Sequence, residues 1–156
     1  MQLSKNFWLS EFTKSDTAIR QVIDNSPEPE HLVALAHLCC AVLQPVRDAL
    51  GPIKVTSGYR SLALNRAIGG SQGSQHSKGE AADIECFGPT SNIDLMKWIV
   101  QNCEFDQAIA EFVDPNDPKS GWIHVSARVG NNRKQQLRAF KRNGKTVYEP
   151  VDVLKL

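Results

Sequence analysis

Residues Ser74–Cys86 read "SQHSKGEAADIEC". The first half is polar and contains a glycine, the composition of a loop, and "EAADIEC" then reads as a strand. His76 therefore falls in a loop, and Asp83 follows seven positions later in the strand. A turn at Gly79 lets the chain reverse, so the strand can aim Asp83 back at His76. Two readings stay open: both side chains ligate one metal ion, or a loop histidine is followed by a buried acid.

Upstream, "IKVT" (Ile53–Thr56) reads as a short strand leading into the loop "SGYRS" (Ser57–Ser61). "SLALNRAIGG" reads as a short helix capped by Ser61 and ended at Gly69-Gly70. Further back, Leu32, Leu35, Ala36, Cys39, Leu43, Val46 and Leu50 recur at helical spacing. That helix is expected to start with Ser26 as its cap and Pro27 in the first turn, with Glu28 and Glu30 at the positive end of the dipole. Pro45 is expected to kink it near its end, and Gly51-Pro52 to stop it.

Downstream, "SNIDLMKWIVQNC" is an amphipathic helix with Ser91 as its cap. Two strands follow, "DQAIAEFV" (Asp106–Val113) and "WIHVSAR" (Trp122–Arg128), joined by "DPNDPKSG", in which Asp114 and Asp117 form turns. Alternation puts Ala108, Ala110 and Phe112 on one face of the first strand, with Gln107, Ile109 and Glu111 on the other. In the second strand Ile123, Val125 and Ala127 share a face opposite Trp122, His124 and Ser126. With both apolar faces in the core, Glu111 and His124 project on the same side of the sheet. "QLRAFKRNGKTVYEPV" closes the chain as a hairpin turning at Asn143-Gly144. The expected fold is α+β, with helices packed on a small central antiparallel sheet. There is no internal repeat and no low-complexity linker, so residues 1–156 read as one domain.

Apolar residues make up 41% and charged residues 22%, and the net charge of +1 gives no overall pull toward nucleic acid or membrane. Charge is unevenly placed, with seven basic residues and no acid from Arg128 to Lys145. No nucleic-acid motif accompanies them, so a solvated hairpin is expected there. "MQLSKNFWLSEF" lacks the apolar stretch of a secretory signal, and no run approaches the ~18 apolar residues of a membrane span. The expectation is a monomer made in the cytoplasm without membrane insertion. Cys39, Cys40, Cys86 and Cys103 show no C-x-x-C spacing and read as reduced, structural residues.

A catalytic zinc site needs three nitrogen or oxygen ligands and one position open to water. His76, Asp83 and His124 supply two imidazoles and a carboxylate. His31 and His37 lie on the long helix with no spaced partner and read as structural.

The motifs "SGYRS", S-x-H-x-x-G-x-A-x-D over Ser74–Asp83, and "WIHVS" over Trp122–Ser126 occur in that order. Together they resemble the M15 family of zinc D-Ala-D-Ala carboxypeptidases and related peptidoglycan endopeptidases, phage-type members above all. The resemblance implies a hedgehog/DD-peptidase-like fold, one zinc held by His76, Asp83 and His124, and hydrolysis of bacterial cell-wall peptides. Such an enzyme waits in the host cytoplasm and acts at the wall after release. Several relatives carry a general-base glutamate three residues before the last ligand, where this chain has Gly121. Glu111 is expected to take that role, since pairing of the two strands delivers it to the face of His124. Arg60 matches the family arginine that contacts substrate or the developing oxyanion, although it could instead pair with Asp83 or Glu85. Ser74 either bonds substrate or orders its loop. The alternatives to a wall endopeptidase are a cytosolic dipeptidase or carboxypeptidase and a zinc-containing wall-binding module without catalysis. For the basic hairpin, attraction to anionic wall polymers is the second reading.

Overall fold

The computed structural model describes residues 1–156. The chain opens with a hairpin of β1 (Gln2–Ser4) and β2 (Phe7–Trp8), then α1 (Leu9–Thr13) and α2 (Asp16–Gln21). A longer helical rod follows, made of α3 (Pro29–Leu38), a π-helical turn at Cys39–Leu43, and α4 (Gln44–Leu50). It starts later than expected, with Glu28 as its cap and Pro29 inside the first turn. A residue before proline is pushed out of the helical region, and Glu28 is accordingly extended at φ −74° and ψ 165°. The kink expected at Pro45 appears as the π turn just before it. Proline offers no N–H and crowds the carbonyl four residues back, and a widened turn relieves both.

By length and composition the Pro29–Leu50 rod is apolar enough to cross a membrane. Its apolar stripe is spent elsewhere. Leu35, Leu38, Cys39, Val42, Leu43 and Val46 all show 0% exposure in the hydrophobic core. Each such burial contributes about 1.5–3 kcal/mol for the larger side chains. All four cysteines are free; burial pushes the Cys39 thiol up to about 12 and the Cys103 thiol to about 11. Cys40, next to the buried Cys39, is exposed.

Next come β3 (Ile53–Ser57), α5 (Leu62–Ala67) and a single 3-10 turn at Gln75–Lys78. They are followed by β4 (Ala81–Cys86), α6 (Asn92–Asn102), β5 (Gln107–Glu111) and β6 (Trp122–Ser126). The hairpin of β7 (Gln135–Arg142) and β8 (Lys145–Pro150) completes a six-stranded sheet of order β3-β4-β6-β5-β7-β8. Its turn residues Asn143 and Gly144 have φ of 50° and 75°, the left-handed pair of a tight hairpin turn. Ser61 and Ser91 cap α5 and α6 as expected, accepting from the N–H groups of Leu64 and Asp94.

The α+β class is as expected, with one difference in the sheet. β5 and β7 pair in parallel, while every other pair is antiparallel. β4 occupies the outer edge of β6, so the chain leaving β6 steps past the start of β5 and pairs on its free side. The sheet's helix-facing side carries Ala82, Ile84, Ala108, Ala110, Ile123 and Val125, which share one core with α6 and the long rod. Phe112, expected on that face, leaves it. At φ 54° its backbone flips into the left-handed region, and the ring packs on Trp122 with centroids 5.5 Å apart.

Candidate metal centre

The open face of the sheet holds one row across four strands, in which Ser57 pairs with Asp83, Asp83 with His124, and His124 with Ile109. Paired residues project on the same face, so Asp83 and His124 stand side by side. His76 arrives from the Gln75–Lys78 turn. Ser74 caps that turn by accepting the His76 N–H at 3.3 Å, and Gly79 closes it at φ 74°. A Cβ on Gly79 would lie 2.6 Å from the His31 carbonyl oxygen, so the turn admits only glycine there.

The three side chains converge on one point. His124 Nδ1 lies 3.1 Å and His76 Nε2 3.3 Å from Asp83 Oδ1. One ligand atom from each of the three residues falls within 4.8 Å of the others, and no fourth His, Cys, Asp or Glu joins the group. His76 is 3% exposed, and its Nδ1–H donates to the Gly58 carbonyl at 2.7 Å. That bond fixes the tautomer and leaves the Nε2 lone pair facing inward. Burial pulls the His76 imidazole below its ordinary value despite the nearby Asp83 carboxylate, so the ring is neutral and able to ligate. Burial alone would raise Asp83. The His124 and His76 rings packed against its oxygens outweigh that and hold it below the usual carboxylate range. Two imidazoles and one carboxylate form the donor set of a catalytic zinc site with a position left over.

Gly58 is an outer support that the sequence did not reveal. A Cβ there would lie 2.6 Å from the Phe12 backbone, so any side chain must displace the carbonyl that orients His76. Gly58→Ala is expected to weaken metal affinity by about 10–100-fold. Competition with a chromophoric chelator measures this, and an unchanged affinity would show that this carbonyl does not set the ring.

Glu111 and Trp122 are paired across β5 and β6, which makes Glu111 the diagonal neighbour of His124 on the same face. Burial, reinforced by the Asp83 charge, raises the Glu111 carboxyl above its ordinary value, with His124 and Arg60 opposing. Gly121 has φ 61°, and a Cβ there would meet the Glu111 carbonyl oxygen at 2.1 Å. A glutamate three residues before His124 therefore has no room, and the nearby carboxylate comes from β5.

Arg60 faces the same point, with Nη2 3.8 Å from Asp83 Oδ2 and Nη1 donating to Asn65 Oδ1 at 3.2 Å. Its buried Nε has no partner, and it makes no ion pair with Glu85. Its backbone N–H donates to the His76 carbonyl at 3.2 Å, tying the "SGYRS" loop to the ligand turn. The cleft above these groups, about 570 Å³, is lined also by Ser74, Trp122, Leu137 and Tyr148. Trp122 therefore both packs and lines the cleft. Partial burial and the Glu111 and Asp83 carboxylates push the Tyr148 phenol up, which keeps its hydroxyl protonated at neutral pH.

His31 and His37 stay outside the site. The His31 Nδ1 accepts the Glu28 N–H at 3.1 Å, and the His37 Nε2 lies 3.2 Å from the Arg128 carbonyl oxygen. Sequence reasoning missed Asp106, which has 0% side-chain exposure and meets Arg128, Arg133 and Gln75, the neighbour of His76. An acid at the start of one strand, with Arg128 and Arg133 in the loop after the next, was the available signal. Asn92 was missed too. Fully buried, it donates to the carbonyls of Ser120 and Gly121 and accepts from Cys86, which holds the β5–β6 loop in place.

No curated protein matches the chain. The sequence signature of the family described as Peptidase M15 matches residues 5–126, most of the chain and all three clustered side chains. The protein belongs to the peptidase M15 family of zinc-dependent peptidases, and His76, Asp83 and His124 are the residues that fit the ion.

Proposed function

We propose that this peptidase hydrolyses peptide bonds in the stem peptides of bacterial peptidoglycan, as a phage- or prophage-type wall-degrading enzyme. The observation that carries the hydrolytic part is the three-donor cluster beside a separate, raised carboxyl, with Glu111 outside the ligand set but on its face. When bound, zinc supplies Lewis-acid polarisation of the scissile carbonyl and lowers the pKa of water. Glu111 takes a proton from the attacking water and returns it to the amine nitrogen as the C–N bond breaks. Its raised carboxyl brings proton uptake and release closer to neutral pH. Arg60 projects its guanidinium toward the growing negative charge on the carbonyl oxygen, a contribution of about 2.7–4 kcal/mol where such donors have been removed. Ser74 acts through His76 by capping its turn.

The wall as substrate is supported by the likeness of the three motifs to those of wall peptidases. We propose that the enzyme acts as a monomer on peptide alone, without nucleic acid or membrane insertion, reaching the wall after release from the cytoplasm. The basic stretch supports this, because most of its charge is used internally. Arg128 and Arg133 bind Asp106, Lys134 binds Glu104, and Arg138 and Arg142 share Glu149.

Zinc-loaded protein incubated with purified sacculi is expected to release peptide fragments bearing a new amino terminus, identified by mass spectrometry. Free D-Ala-D-Ala is assayed separately. Cleavage of the dipeptide with intact sacculi would replace the wall reading with a cytosolic dipeptidase.

A further inference from the structure

The carboxylate of Asp106 has 0% side-chain exposure and is shared by two guanidiniums, Arg128 Nη2 at 2.9 Å and Arg133 Nη2 at 2.6 Å. Neither guanidinium meets another carboxylate, so the cluster carries more positive than negative charge. Arg128 also donates to the Asn131 carbonyl and does not line the cleft above the metal ligands. Arg133 does line it.

The way Arg133 is held decides what it offers. Its Nε lies 3.2 Å from Asp106 Oδ1 and 3.1 Å from Oδ2, while Nη2 donates to Oδ2. Asp106 therefore occupies the side-on fork of the guanidinium. The end-on fork, Nη1 together with the other N–H of Nη2, has no partner in the protein. The side chain is 51% exposed, so this fork is open to an incoming group. It is also fixed relative to the metal ligands. Gln75, the residue before His76, donates from Nε2 to the same Asp106 Oδ2 at 3.0 Å. Arg60 is the cation set against Asp83 and Glu111, whereas the only acid that meets Arg133 is Asp106. The cleft thus has a charge-matched region around Asp83 and Glu111 and an unmatched guanidinium elsewhere on its lining.

We infer that Arg133 binds a carboxylate of the substrate on its end-on fork and is a specificity residue of this peptidase, with buried Asp106 as the group that positions it. The inference rests on the peptidase reading above and narrows its substrates to peptides bearing a free carboxylate near the bond that is cut. A guanidinium already pinned by Asp106 loses little freedom on forming a second pair. A carboxylate matches the fork with both oxygens, whereas a carboxamide offers one acceptor and no charge. Arg133 lies beyond residue 126, where the family match ends, so the preference comes from this chain's own 127–134 loop.

The test uses zinc-loaded Glu111→Gln protein, so that peptides bind without being consumed, and reads dissociation constants by calorimetry. The probes are one stem tetrapeptide in three forms, with every carboxyl amidated, with only an internal carboxylate free, or with only the terminal carboxylate free. Freeing one of the two is expected to tighten binding by about 10–100-fold, and the form that does so identifies the carboxylate Arg133 reads. Adding Arg133→Gln should bring that ratio toward unity. Arg133→Lys keeps a charge beside Asp106 but not the fork, and should retain only a small part of the preference. Thermal melting checks the fold of each variant, and should the glutamine variant not fold, the lysine variant decides alone. An undiminished preference in either folded variant overturns the inference, as does equal binding of all three peptides by the protein that retains Arg133. If the preference depends on Arg133 but zinc-loaded protein with Glu111 intact cuts none of the three peptides, the carboxylate site stands and the wall-peptide reading falls.

Discussion

Replacing Glu111 by glutamine leaves zinc binding stoichiometric and lowers turnover by about two to four orders of magnitude. The substitution keeps size and hydrogen-bonding shape while removing the ability to accept and return a proton. Glu111 is absent from the three-residue cluster that fits the ion, so the metal content should not change. No other carboxylate stands ready to replace it. Asp83 is committed to both histidines and held well below the ordinary carboxylate range, and Gly121 cannot be given a side chain without striking the Glu111 carbonyl. Metal analysis by atomic absorption alongside kcat separates the two roles. Unchanged turnover would remove Glu111 from the chemistry, and lost zinc would move it into the coordination sphere.

The site was legible because strand alternation is a local property with a strict period. Ala108 and Ala110 on one strand, and Ile123 and Val125 on the next, define the core face and so commit Glu111 and His124 to the other. The same logic carried Asp83 to that face once β4 paired with β6. Strand order was less legible. Neighbouring strands in sequence usually pair, but nothing in the residues themselves says that β7 must bypass β6 and run parallel to β5. Outer supports were hidden for a related reason. Gly58 earns its place only because Phe12 lies against it and His76 bonds its carbonyl, two contacts that span long stretches of chain. Phe112 failed the alternation rule because its left-handed backbone ends the strand at Glu111, two residues before the expected Val113.

The bypass that the sequence concealed predicts the largest loss of stability. Asp106 stands at the start of β5, and the 127–134 loop passes around it on the way from β6 to β7. Its carboxylate accepts from Arg128 Nη2 at 2.9 Å, from the Arg133 backbone N–H at 3.0 Å, from Arg133 Nη2 at 2.6 Å, and from Gln75 Nε2 at 3.0 Å. Asp106→Ala removes the shared acceptor of these donors and of Arg133 Nε, and is expected to cost about 3 kcal/mol. That is the lower end for a broken buried pair, because the guanidiniums of Arg128 and Arg133 are 38% and 51% exposed and recover water. For a chain of this size the midpoint of thermal unfolding should fall by roughly 6–12 °C. Burial by itself would raise the Asp106 carboxyl, but the bonds from Arg133 and Gln75 outweigh it and hold the group well below the ordinary carboxylate range. The folded value thus lies below the unfolded value of about 3.9, so this contribution is fully present above that pH and is lost as pH falls toward the folded value. Asp106→Asn, which keeps the volume and one acceptor, should therefore unfold at lower denaturant than the parent at neutral pH and show a flatter decline below about pH 4. Denaturant titrations across that range measure both, and parallel stability profiles for the two proteins would mean that the loop is held by contacts other than this carboxylate.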